Sequence, residues 1–148
     1  MLHFKRSTLI DAPVEVVWRF HERQDFLQFI TPPWQPLQIV RREGGLDVGA
    51  ITEFRIFLGP IPVQWVARNT ECEQYRLFTD EQVTGPMQSW VHRHQFTTED
   101  GRTRLTDAIA YSLPGGFLAE FVLNWWVNSR LDEMFRYRHE VTKRECQR

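Results

Sequence analysis

The first third of the chain reads as one strand followed by two short helices. Residues 3–10 have the composition of a β-strand and stop at an Asp-Ala-Pro turn. Pro13 suits the first turn of a helix, which continues over residues 14–21. Asp25 is an N-cap candidate for a second helix over residues 26–30, and the prolines that follow end it.

The middle of the chain predicts six consecutive strands. Short connections rich in glycine and proline separate the strand patterns, so neighbouring strands are expected to pair in an antiparallel meander. The predicted strands cover residues 36–42, 50–58, 63–71, 75–83, 88–98 and 103–113.

The C-terminal part predicts a long helix over residues 117–141, after Pro-Gly-Gly. Its first half is apolar nearly all round, so we expect other elements to cover it on more than one side. Its second half carries a stripe through Leu131, Met134, Phe135 and Arg138. The sequence therefore predicts an α+β fold in one domain, residues 1–148, with a curved antiparallel sheet of about seven strands around the last helix. The first strand is expected to pair with a later one.

The composition is that of a globular chain with an aromatic excess. Hydrophobic residues make up 42% and charged residues 25%, which is ordinary, but the 14% of aromatic residues is high. Aromatic side chains can fill a core or line a cavity for an apolar ligand. The formal net charge of −1 gives no basic face, which argues against a nucleic acid as partner.

Cysteine usage and hydropathy indicate a cytoplasmic protein. Cys72 and Cys146 are the only cysteines and lie far apart in sequence, so a reducing compartment is expected. The N-terminus lacks the apolar segment of a signal peptide. The longest apolar run, residues 117–127, is interrupted by Glu120 and Asn124 and is too short for the roughly 20 residues that span a bilayer. We therefore expect no transmembrane segment.

The strand over residues 88–98 carries two histidines on one face. Because strand side chains alternate, residues 90, 92, 94 and 96 point the same way, and the more polar alternate set faces water. The inward set is Trp90, His92, His94 and Phe96.

Two aspartates on neighbouring strands are predicted to lie beside these histidines. The turn over residues 84–87 would set Asp80 opposite His92, and residue 82 opposite residue 90. Asp107, on the apolar face of the next strand, would fall near His92 or His94, depending on register. The resulting inward cluster contains Asp80, His92, His94 and Asp107, with Gln82 as a further candidate.

Four interpretations of this cluster remain open. It can be a buried hydrogen-bonded network that Arg138 completes, tying the helix to the sheet. It can be the polar part of a small-molecule pocket. His-x-His can also bind a metal, as in cupins, but no later histidine lies in a strand, so we predict no metal and no cofactor. A His–Asp pair also suits acid/base catalysis, yet no nucleophile motif accompanies it and we assign no catalytic residue.

Several segments resemble a known superfamily over nearly the whole chain. They are STLIDAPVEVVWRFHE (7–22), FTDEQVTGPMQSWVHRHQF (78–96), LTDAIAYSLPGG (105–116) and FRYR (135–138). They resemble the START-like superfamily (SRPBCC), which includes the birch-pollen-allergen fold and the polyketide cyclase/dehydrase-like proteins. The resemblance implies a helix-grip fold, with a cavity between the sheet and the last helix that binds a hydrophobic or amphipathic molecule. It transfers no catalytic residue, since members do not share them.

The leading functional prediction is a binding or carrier protein for a hydrophobic or aromatic small molecule, such as a lipid, a quinone or a polyketide-like compound. One alternative is a cyclase/dehydratase-type enzyme with His92 or His94 as general acid/base. Another is a protein-interaction module, or a homodimer, that uses an apolar patch near Trp126. The predicted ligand-binding residues are Trp65, Phe78, Asp80, Trp90, His92, His94, Asp107, Tyr111, Phe121 and Trp125.

Overall fold

The order of helices and strands in the computed structural model, which describes all 148 residues, confirms the predicted order. The C-terminal helix runs to Cys146, one turn beyond its predicted end. In chain order the elements are β1 (Leu2–Ile10), α1 (Val14–Glu22), α2 (Phe26–Ile30), β2 (Leu37–Glu43), β3 (Ile51–Leu58), β4 (Ile61–Glu73), β5 (Leu77–Thr84), β6 (Ser89–Glu99), β7 (Arg102–Ser112) and α3 (Gly116–Cys146).

The strands form one seven-stranded sheet in the order β1-β7-β6-β5-β4-β3-β2. Every neighbouring pair is antiparallel. β1 pairs with β7, which confirms the prediction that the first strand pairs with a later one. The α+β fold class is confirmed, with helices segregated from an antiparallel meander.

The register of β5, β6 and β7 places the predicted cluster side by side. Asp80 is opposite His92, and His94 is opposite Asp107. The predicted pairing of Gln82 with Trp90 is wrong, because the β5–β6 ladder ends one pair earlier. The Gln82 side chain instead makes two hydrogen bonds to the backbone of Met87, which hold the turn between the strands.

Two apolar clusters flank this row of polar residues. The first joins α1 and α2 to the sheet and to the end of α3, and Trp18 packs edge-on against Phe96 at its centre. The second joins β1 and β7 to the middle of α3, where Phe4 meets Phe135. His94 stacks on Phe78 of the first cluster, and the second cluster meets the same polar row through Phe135. The polar residues therefore lie between the two clusters.

The first half of α3 is exposed, so the prediction that other elements cover it is wrong. The helix packs mainly against β1, α1 and α2. We call the resulting exposed residues the α3 apolar surface. It consists of Phe117, Leu118, Phe121, Val122, Leu123, Trp125 and Trp126.

Candidate functional site

A cavity of about 260 Å³ lies between the concave face of the sheet and the second half of α3. This volume is slightly below the roughly 300–1,000 Å³ typical of small-molecule sites. More than half of its wall residues are hydrophobic (16 of 30), and a few polar groups converge on it. The apolar wall includes Phe26, Ile30, Phe54, Trp65, Phe78, Trp90, Leu131, Met134 and Phe135.

Asp107 is the centre of the polar wall. Its Oδ1 accepts a hydrogen bond from His92 Nε2 at 2.7 Å, and His94 Nδ1 lies 3.0 Å from the same oxygen. Its Oδ2 accepts a hydrogen bond from His139 Nε2 at 2.6 Å. One carboxylate thus meets three imidazoles, two from β6 and one from α3, and all four side chains are buried.

His94 is held between two carboxylates. Its Nε2 donates to Asp80 Oδ2 at 2.9 Å, while its Nδ1 faces Asp107. Burial alone lowers the pKa of His94, but the contacts with Asp107 and Asp80 outweigh it and raise that pKa to about 9. For both aspartates burial opposes ionisation, but the imidazole contacts prevail and lower each pKa. At neutral pH His94 is therefore an imidazolium between two carboxylates.

His92 has a different charge state from its neighbour. Burial and the positive charge of His94, stacked on it with 3.7 Å between ring centroids, lower the pKa of His92. The neutral ring donates its Nε2 proton to Asp107, so its Nδ1 carries a lone pair. This Nδ1 makes no hydrogen bond within the protein. His92 lines the cavity, so it can accept a hydrogen bond from a ligand.

His139, which sequence reasoning left out of the cluster, supplies the link between helix and sheet. The interpretation that gave this role to Arg138 is wrong, because the Arg138 guanidinium lies 5.0 Å from the Phe135 ring centroid and forms no ion pair with either aspartate. The signal for His139 was present in the sequence. It follows Phe135 by four residues and so shares the inward face of the helix.

Seven of the ten predicted ligand-binding residues lie on the cavity wall. Tyr111 does not, because it is fully buried behind Trp90 in the second apolar cluster. Phe121 and Trp125 are 79% and 73% exposed and lie on the α3 apolar surface, beyond the end of the cavity. Placing these three on the wall was wrong. The seven on the wall are Trp65, Phe78, Asp80, Trp90, His92, His94 and Asp107.

The ligand atoms of Asp80, His92 and His94 lie within 4.8 Å of one another, close enough to be considered for a metal ion. However, His92 and His94 are stacked face to face, whereas one ion requires both ring planes to converge on it. His92 Nε2 and both ring nitrogens of His94 already contact carboxylates. This geometry favours a hydrogen-bonded network over a metal centre.

The sheet that curves around a helix, with a cavity between them, defines a helix-grip protein. Residues 10–135 match the family model described as polyketide cyclase/dehydrase and lipid transport. The chain belongs to this family, as the resemblance implied. No helix combines the length and apolar composition needed to cross a membrane.

Solved structures agree on the fold. A Thermus thermophilus protein, TTHA0849, aligns over 99% of this chain and 97% of its own, with a TM-score of 0.77 and 17% identity. A Streptomyces aromatase/cyclase, Zhui, aligns over 99% and 94%, with a TM-score of 0.76 and 15% identity. A nucleoside-diphosphate sugar epimerase from Corynebacterium glutamicum is 29% identical over 95% of this chain but only 28% of its own, with a TM-score of 0.75. No curated protein sequence matches the chain.

Proposed function

We propose that the protein binds a hydrophobic or aromatic small molecule in the cavity and carries it without changing it. The observation that carries this proposal is the cavity itself. Its walls are apolar on most sides and polar where Asp80, His92, His94 and Asp107 line it. Such a site, with few polar groups among apolar walls, is the usual form of a small-molecule pocket. A cytoplasmic location, which the two free cysteines favour, is part of the proposal.

The aromatic wall suits a flat ligand. Phe54 stacks on Trp65 with 5.8 Å between ring centroids, and Trp90 meets Trp65 edge-on at 5.1 Å. These rings come from β3, β4 and β6 of one sheet, so packing fixes their relative orientation. A planar apolar ligand can stack on them at low conformational cost, and His92 can accept one hydrogen bond from it.

A titration with a neutral aromatic probe, N-phenyl-1-naphthylamine, tests the proposal. Ala67 lines the cavity, so Ala67→Phe fills it, whereas Ala110→Phe adds the same ring to the outer face of β7 as a matched control. We expect saturable one-to-one binding that Ala67→Phe weakens at least tenfold and Ala110→Phe leaves unchanged. Equal binding by both variants, each shown to be folded by circular dichroism, would place the probe elsewhere and refute the proposal.

An enzyme of the cyclase/dehydratase type is the second candidate, and the unshared Nδ1 of His92 favours it. His94 is unsuited as a base, because it is protonated at neutral pH and both its nitrogens face carboxylates. With a polyketide-like thioester as substrate, His92→Asn should abolish conversion while the binding of N-phenyl-1-naphthylamine persists. Conversion by this variant at the wild-type rate would exclude His92 as the base.

The α3 apolar surface supports a further role in self-association. Its seven large side chains are 43–82% exposed, which amounts to on the order of 1,000 Å² of apolar area. The largest patch on a typical monomer is about 300–600 Å², whereas a stable interface buries roughly 800 Å² per partner. A second copy of this chain, with the two helices packed against each other about a twofold axis, would cover it.

A further inference from the structure

Two arginines on the cavity wall have no anionic partner. Arg42 projects from β2 and Arg138 from α3, and neither guanidinium has a carboxylate oxygen within 4.0 Å. Arg42 makes one hydrogen bond, from NH2 to the backbone oxygen of His21 at 2.7 Å, and its buried Nε has no partner. The Arg138 guanidinium makes no hydrogen bond within the protein, and its Nε is also buried.

A guanidinium group without an anionic partner in the wall of a cavity lowers the stability of the folded protein. Arginine keeps its proton under ordinary conditions, so burial cannot be relieved by neutralisation as it can for lysine. Burial lowers the pKa of both arginines from the usual value, as expected for cations removed from water. Buried charges in proteins are normally paired and hydrogen-bonded. A bound anionic group with acceptor oxygens would supply the negative charge and the hydrogen-bond acceptors that both side chains lack.

The nearby carboxylates are committed to other donors. Asp107 already meets three imidazoles, and Asp80 accepts a hydrogen bond from His94. Since His94 is protonated, these two carboxylates face three cations, counting Arg42 and Arg138. The polar end of the cavity therefore has a surplus of positive charge. Arg42 bonds to His21, whose ring centroid is 6.3 Å from that of His94. Arg138 lies over Phe135, whose ring packs edge-on against His92, so both arginines lie at the polar end.

We propose that the ligand is an organic acid, whose carboxylate binds to Arg42 and Arg138 while its apolar or aromatic body packs against Trp65 and Trp90. This inference rests on the proposed function, because it names the chemical class of the molecule that the cavity holds. A carboxylate matches the planar fork of a guanidinium, which can donate two parallel hydrogen bonds to it.

A matched pair of probes tests the inference: 2-naphthoate, which is anionic, and methyl 2-naphthoate, which has the same rings without the charge. Isothermal titration calorimetry on the full chain should show the acid binding at least tenfold more tightly than the ester. Arg138→Met should remove most of that preference and leave the affinity for the ester unchanged. Arg130→Met, which changes an exposed arginine of the same helix, should leave both affinities unchanged.

The outcomes separate this inference from the proposal on which it rests. If the ester binds as tightly as the acid, or if Arg138→Met keeps the preference, the inference is overturned and the proposed function stands. If neither compound binds, both are overturned.

The melting temperature without ligand provides an independent readout. Arg138→Met replaces an unpaired, partly buried charge with an apolar side chain of similar length, so the melting temperature should rise. A marked fall would mean that Arg138 is a structural residue and would contradict the inference.

Discussion

At the scale of the residue, Asp107 organises the site. One carboxylate receives contacts from His92, His94 and His139, so a single side chain joins β6, β7 and α3. The positions of Asp107, His92 and His94 could be predicted, because strand alternation and a short hairpin fix which side chains are neighbours. His139 could not be paired from the sequence, since nothing local sets how a helix lies over a sheet.

The first prediction concerns Asp107→Asn. The amide keeps the shape but loses the charge, which leaves imidazole donors and the His94 imidazolium without their anion inside the protein. We expect the free energy of unfolding to fall by about 3–5 kcal/mol, as for other broken buried pairs, in chemical denaturation. Asp132→Asn is the control, because Asp132 is 40% exposed and its ion pairs should contribute under about 1 kcal/mol. Equal losses in the two variants would show that Asp107 has no special role.

The second prediction concerns the pH dependence of stability. The pKa of His94 is about 9 in the folded chain and 6.5 when unperturbed, so the folded state holds its proton more tightly. The stability contributed by His94 should be complete below about pH 6.5 and should be lost as the pH rises towards 9. The unfolding free energy of the wild type should therefore decline between pH 7 and 9, more steeply than that of His94→Gln. Parallel declines would contradict the assigned charge state.

At the scale of the element, α3 divides into two halves with different surroundings. The second half packs its stripe through Leu131 and Phe135 into the core, as its periodicity predicted. The first half has the composition of a buried helix, yet seven of its large side chains are exposed. Composition alone therefore could not place Phe121 and Trp125, because the same apolar residues suit a cavity wall, a core or an interface.

The third prediction belongs to this element. Sedimentation velocity of the wild type should show a dimer, and the double variant Phe121→Glu/Trp125→Glu should sediment as a monomer, because two carboxylates per copy cannot be buried unpaired. Val48→Glu, at an exposed apolar position outside α3, is the control and should leave the dimer intact. A wild type that remains monomeric at concentrations of about 100 μM would rule out this interface.

At the scale of the whole molecule, the meander and the two short helices leave a space between the sheet and α3. The order of elements and the sheet topology followed from turns and alternation, which are local signals. The size of the cavity could not be predicted from such local signals. Its size depends on how far the sheet curves away from α3, which is a property of the assembled fold. For that reason the residues predicted from β4, β5 and β6 lie on the cavity wall, whereas Phe121 and Trp125, in the first half of α3, do not.

The central claim is that this cavity, and not the α3 apolar surface, binds an apolar ligand. The six tryptophans allow a direct test, because each indole N–H gives its own proton–nitrogen correlation in an NMR spectrum, assignable by Trp→Phe variants. On titration with methyl 2-naphthoate, the signals of Trp65 and Trp90 should shift and saturate together, while that of Trp125 should stay in place. Shifts at Trp125 with none at Trp65 or Trp90 would contradict the account.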